Sequence, residues 1–136
     1  MADIARNILA PLGMAALLIP LTVVDARAPA PIAPAAAPAT ICGWVANPTP
    51  ANWWITDRFG QWVMMTQGSE GVDGMDTIPD LTEKQWVKTN GYYGYGCGCM
   101  RATVNKAKMQ IIRIHSFTQK SLKTCRADRK LAEPRD

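Results

Sequence analysis

Hydrophobic positions along this chain fall into runs of two kinds. From Ile8 to Val24 they are nearly continuous, interrupted by Pro11, Gly13 and Pro20. From Trp44 onward they are short, rich in aromatic residues and separated by turn residues, which is the pattern of β-strands. Cys42-Gly43-Trp44-Val45 starts a strand, and Asn47-Pro48-Thr49-Pro50 then blocks a helix and makes a rigid loop. Asp57-Arg58-Phe59-Gly60 is a type I turn with a glycine suited to the bulge position. It predicts a hairpin over Asn52 to Thr66 that sets Ile55 opposite Val63 and Trp54 opposite Met64. Both faces of that hairpin are apolar, so it is buried on both sides or offers one side to a partner.

Gln67 to Lys84 reads as a loop with three glycines and five acidic residues. Gln85 to Thr89 is a strand, Asn90-Gly91 a hairpin turn, and Tyr92 to Val104 a long returning strand. Gly94, Gly96 and Gly98 alternate along it with Tyr95, Cys97 and Cys99, which leaves one face of nearly bare backbone. Something must pack closely there, and an indole of the tryptophan hairpin is the expected cover. Asn105 to Lys108 is a turn, and Met109 to His115 a third strand with Ile112 and Ile114 on one side. Leu122 and Cys125 lie one helical turn apart and predict a short helix. The fold class is therefore mainly β: a small antiparallel sheet or sandwich-like domain closed by a short C-terminal helix.

The first apolar run changes the picture of where the domain works. Arg6 precedes it, and Val24-Asp25-Ala26 places small residues at a cleavage site, as in secretory leaders. A spanning helix needs about 20 unbroken apolar residues, and this run is shorter and holds helix breakers. The expected organisation is a signal peptide over residues 1–26, an Ala/Pro-rich linker over 27–40 and one domain over 41–136. The product is periplasmic or secreted, and is not an integral membrane protein once cleaved. Without the leader the charge is +5, from fourteen basic and nine acidic residues. It is polarised: residues 57–88 carry −3 and residues 101–136 carry +7. The basic part suits an anionic envelope polymer or an acidic protein, while export argues against nucleic acid.

Four cysteines in an oxidising compartment predict two disulfides. Cys97 and Cys99 point the same way on one strand, about 7 Å apart, and cannot bond to each other. Two pairings remain, Cys42–Cys97 with Cys99–Cys125, or Cys42–Cys99 with Cys97–Cys125; the second is preferred. A zinc site would present paired C-x2-C knuckles, and calcium an EF-hand spacing; neither pattern occurs, and no metal or other cofactor is expected.

Catalysis has little support in the pattern. His115 is the single histidine, and Ser116 beside it on a strand points to the opposite face. The aromatic residues are more suggestive. Trp44, Trp54 and Trp62 read as core, whereas Trp53, Tyr92 and Tyr93 stand beside turn residues and suit recognition. The candidate binding residues are Asn47, Asn52, Trp53, Asp57, Asn90, Tyr92 and Tyr93. The leading expectation is a non-catalytic, inhibitor-like protein-binding module acting through the tyrosine hairpin and the Asn-Pro-Thr-Pro loop. The alternatives are a glycan or cell-wall-polysaccharide binder using Trp53 and Asp57, and a small hydrolase using the acidic loop.

Several of these segments together resemble a known family. They are Cys42-Gly43-Trp44, Asn47 to Pro50, Asn52-Trp53-Trp54, Asp57 to Trp62, Trp86 to Gly91, Tyr93 to Cys99, and Cys125-Arg126 with Asp128. In that order they resemble a family of small exported bacterial proteins described as domain of unknown function 4087, over roughly Ile41 to Leu131. The resemblance implies bacterial origin and a cell-envelope location, and carries over no catalytic residues. Gly98 stands where the family more often has alanine.

Overall fold

The computed structural model describes residues 37–135. The expected leader and most of the linker lie outside the described residues. Six strands and one helix follow in order: β1 (Ala39–Asn47), β2 (Trp53–Asp57), β3 (Gly60–Met65), β4 (Trp86–Asn90), β5 (Tyr93–Asn105), β6 (Gln110–Lys120) and α1 (Leu122–Ala127). The domain is mainly β with a short C-terminal helix, as its hydrophobic pattern predicts. β1 takes in Ala39 and Thr40, so regular structure begins two residues before Ile41.

β5 is the strand to which three others are paired. Along one edge it runs antiparallel to β1, from Ala39↔Ala102 to Asn47↔Gly94. Its other edge is divided. β4 takes the first part, with Trp86↔Gly96 and Lys88↔Gly94, and β6 takes the rest, from Cys97↔Lys120 to Asn105↔Gln110. β1 also pairs with β2, β2 with β3, and β3 touches β6 in parallel at Val63↔Gln110. The ring β1-β2-β3-β6-β5 therefore closes on itself, and closure removes exposed sheet edges. The result is a small five-stranded barrel of mixed sheet, the architecture also used by OB domains, with β4 appended to it. The β3–β6 seam is thin. Val63 N donates to the Met109 carbonyl there at 3.1 Å, and further along β6 Asp73 forms a parallel bridge with Arg113: its carbonyl accepts from Ile114 N at 2.8 Å and its carboxylate pairs with Arg113 at 2.7 Å.

The apolar residues sort into two cores by strand alternation. Inside the barrel lie Ile41, Val45, Ile55, Trp62, Met64 and Met100, joined by Ala102, Ile111, Ile114 and Leu81. On the outer face of β1 and β5, Trp44, Ala46, Tyr95 and Cys97 pack with Cys125 of α1. Trp44 and Tyr95 meet edge to face, with ring centroids 5.4 Å apart. The disulfides are Cys42–Cys99, between directly opposed residues of β1 and β5, and Cys97–Cys125, from β5 to α1. This is the preferred pairing, and it places both bridges on the outer face.

Three local expectations are corrected. The first hairpin pairs Asp57 with Gly60 and so sets Ile55 opposite Trp62, one residue away from the expected register; a bulge at Trp53/Trp54 recovers Trp53↔Met65. The Asp57 carboxylate accepts from both Phe59 N (2.7 Å) and Gly60 N (3.0 Å), which tightens the turn. A one-residue slip exchanges faces, so Ile55 joins Trp62 and Met64 inside the barrel. In the second hairpin Asn90 pairs with Tyr93, and the loop is Gly91-Tyr92 rather than Asn90-Gly91. Only Gly91 has positive φ, at 63°, the pattern of a type II′ turn. In β6, Ile111 and Ile114 are buried and Ile112 is 47% exposed. The register steps from Ile111 to Arg113 and from Ile114 to Ser116 against consecutive residues of β5, so bulges at Ile112 and His115 break the simple alternation.

The cover over the glycine face is also not the expected one. A Cβ on Gly96 would stand 3.1 Å from Cε3 of Trp86, and one on Gly98 would enter the Phe117 ring. Trp86 from β4 and Phe117 from β6 lie over the bare backbone, and both are packed against the inner core. An aromatic ring on a neighbouring strand needs no crossing of the barrel to reach those glycines, whereas a hairpin indole would.

Candidate functional site

The end of the barrel where β1 stops and β2 starts is an open mouth. Pro48 and Pro50 stiffen the connection, and Asn52 folds it: Nδ2 donates to Thr49 Oγ1 (2.6 Å) and Oδ1 accepts from Gln67 N (3.0 Å). Asn52 therefore shapes the loop from within. Asn47 does the same with its amide turned to satisfy both neighbours, accepting from Trp53 Nε1 (2.8 Å) and donating to the Thr49 carbonyl (2.7 Å). The Trp53 ring is thereby pinned at the rim.

Across the mouth stands the β4–β5 hairpin. Trp86 Nε1 donates to the Tyr92 carbonyl at 3.2 Å, which ties the hairpin tip to the strand that starts it. Tyr92 is 80% exposed, and Lys88 Nζ lies 5.4 Å from its ring centroid. The third wall is the segment 75–82. Gln119 of β6 holds it down by donating to the carbonyls of Leu81 (3.1 Å) and Lys84 (2.9 Å). Between these walls lies an open cleft of about 420 Å³, lined by Asn47, Trp53, Trp86, Tyr92 and Tyr93 together with Met75 to Thr82 residues of the loop. Asp80 is its carboxylate. Oδ1 accepts from both Thr82 Oγ1 (2.7 Å) and Thr82 N (2.9 Å). These bonds, the hydroxyl first, hold the Asp80 carboxyl below its ordinary pKa.

Four of the seven candidate binding residues, Asn47, Trp53, Tyr92 and Tyr93, are thus brought together in one cleft. The other three are not part of it. Asn52 is internal to the loop. Asn90 lines a separate hollow of about 340 Å³, shared with Trp54, Tyr95 and Arg135. Asp57 lies at the far end of β2 from Trp53, in the turn, beside Phe59, Trp62 and Lys106. Among the lining residues that the pattern did not single out are Trp86 and Asp80. Counting back from an Asn90-Gly91 turn sets Trp86 opposite Tyr95; the register shift between Lys88 and Asn90 moves it to Gly96. Asp80 was hidden among five similar acidic residues.

Other chemistry in the domain is dispersed. Among the described residues no group of three His, Cys, Asp or Glu side chains is placed to hold a metal ion. His115 Nε2 is 2.8 Å from Thr103 Oγ1 on the outer surface of β6. Nor is any helix among the described residues long and apolar enough to cross a membrane.

The profile of DUF4087, described as a protein of unknown function, matches residues 36–132. The chain belongs to this family. No curated protein and no solved structure matches it. The DUF4087 match covers all six strands and α1 and ends at Ala132, just before Glu133. Every cleft residue named above lies inside it.

Proposed function

We propose that this DUF4087 protein is a non-catalytic protein-binding module, inhibitor-like in character, acting at the bacterial cell envelope after export. One observation carries the reading. Side chains from three separate segments converge on a single aromatic cleft at one end of a barrel clamped by two disulfides. Rigid aromatic side chains give large contact area at low entropic cost, and a disulfide-clamped scaffold presents them ready for binding. Two disulfides support work outside the reducing cytoplasm. The glycan reading loses support, because Trp53 and Asp57 stand at opposite ends of β2.

The test is quantitative capture of envelope proteins by the wild type and by Tyr92→Ala, with a peptidoglycan pull-down beside it. Tyr92 is exposed, so its truncation leaves the fold intact. A protein held by the wild type and released at least about tenfold more readily by the variant is expected. Saturable, sugar-competed binding to peptidoglycan, with no protein dependent on Tyr92, transfers the cleft to glycans.

A further inference from the structure

We infer that the cleft receives a cationic side chain, an arginine or lysine presented by the partner protein; this rests on the reading of the mouth as a protein-binding end. The carboxylate comes first. Both hydrogen bonds from Thr82 fall on Asp80 Oδ1, and Oδ2 takes none among the described residues. An ionised carboxylate held in one orientation, with one oxygen free, is an acceptor for an ammonium or guanidinium group.

The rings come second. The N–H groups of Trp53 and Trp86 are already used, by Asn47 and by the Tyr92 carbonyl. Trp86 lies over Gly96 on one side, so what the two indoles have left for a ligand is the remaining ring surface, whose faces attract cations, and no N–H donors for the oxygens of a sugar or an anion. Tyr92 shows the attraction within the chain, because Lys88 Nζ already lies over its ring.

The charge around the cleft comes third. Among the residues that line it, Asp80 alone is charged, and its charge is negative. The nearby Lys88 is held over Tyr92. The cleft therefore combines one carboxylate with aromatic rings in a chain that is basic as a whole, and a partner's cation meets a complementary surface there.

The experiment follows tryptophan fluorescence and heat of binding as the protein is titrated with blocked Gly-Arg-Gly and Gly-Lys-Gly peptides, and with the same peptide carrying citrulline. Citrulline keeps the shape of arginine and removes its charge. The expected result is saturable binding of the cationic peptides, weakened by salt, with the citrulline peptide at least about tenfold weaker. Asp80→Asn keeps an acceptor for Thr82 and removes the charge; it is expected to lower arginine-peptide affinity about tenfold. Lys88→Ala removes a competing cation and is expected to leave affinity unchanged or raise it. Equal binding of arginine and citrulline peptides, or no saturable binding of either cationic peptide, overturns the inference. In that event an envelope protein still lost on Tyr92→Ala keeps the protein-binding reading, and chito-oligosaccharide binding in the cleft removes both.

Discussion

The inner and outer faces of β1 and β5 belong to the same two strands but are held in different ways. Their inward residues Ile41, Val45, Met100 and Ala102 are met by side chains of β2, β3 and β6 around a closed ring. Their outward residues Trp44, Ala46, Tyr95 and Cys97 are met by Trp54, Val87 and the thin layer of α1 and the tail. α1 has six residues, far short of the length at which a helix is stable alone in water. Both disulfides lie on this outer face and none crosses the interior. Crosslinks stand where burial is shallow, and closure of the sheet suffices where burial is deep.

The largest effect is expected inside. Trp62 is buried in the barrel, opposite Ile55. Trp62→Ala should cost about 4 kcal/mol, read as a lower denaturant midpoint of the whole domain. Its Nε1 is buried without a partner among the described residues, so Trp62→Phe should cost much less than the alanine change. Equal losses for the two variants would mean that the indole edge, rather than ring volume, supports the interior.

A smaller, local effect is expected outside. Replacing Cys97 and Cys125 together by serine should cost about 3 kcal/mol, from a bridge spanning 28 residues. Amide exchange should lose protection first over Leu122–Ala127, while β2 and β3 keep theirs. Cys42–Cys99 joins strands that are already paired on either side of the bridge, so its loss should loosen no separate element. If removing Cys97–Cys125 lowers protection evenly across the barrel, the two faces are one cooperative unit and the contrast fails.

That contrast also explains what could be read from the residues alone. The alternation of Tyr95, Cys97 and Cys99 with glycine marks a strand with a large face and a bare face. It points both cysteines the same way, which limits the pairing. Short aromatic runs between turn residues are enough for a mainly β class, and the one-turn spacing of Leu122 and Cys125 for the helix. What escaped depends on events that alternation does not encode. The Asp57 side chain closes a tighter turn than glycine placement suggests and slips the hairpin register by one residue. Bulges at Ile112 and His115 bury Ile111 and Ile114, three apart, where a regular strand buries residues two apart. The pairing of β1 with β5 joins residues about fifty apart, and only closure of the ring brings Asn47 and Trp53 across from Tyr92. The cleft was legible as a set of exposed aromatic residues, but its acidic member, Asp80, is singled out only by where the loop is tied.

The smallest effect tests the edge of the outer layer. Arg126 of α1 forks onto Glu133, with Nη2 2.7 Å from Oε1 and Nε 3.0 Å from Oε2, and Tyr95 Oη donates to the same carboxylate at 3.1 Å. Hydrogen bonding from Arg126, more than from Tyr95, holds the Glu133 carboxyl below its ordinary pKa. A depressed carboxyl contributes stability that is fully present above its unfolded value and is lost as pH falls through the folded one. Acidification from neutral pH should therefore release the tail from α1 while the guanidinium stays charged. The readouts are near-ultraviolet dichroism around Tyr95 and amide exchange over 126–133. Glu133→Gln should show the released signal already at neutral pH and no further change on acidification. Because the pair is exposed, the global unfolding midpoint should barely move in either case. A parallel fall of the global midpoint with the tail signal would mean that this carboxylate supports the barrel itself, and that the outer layer is not held separately from the interior.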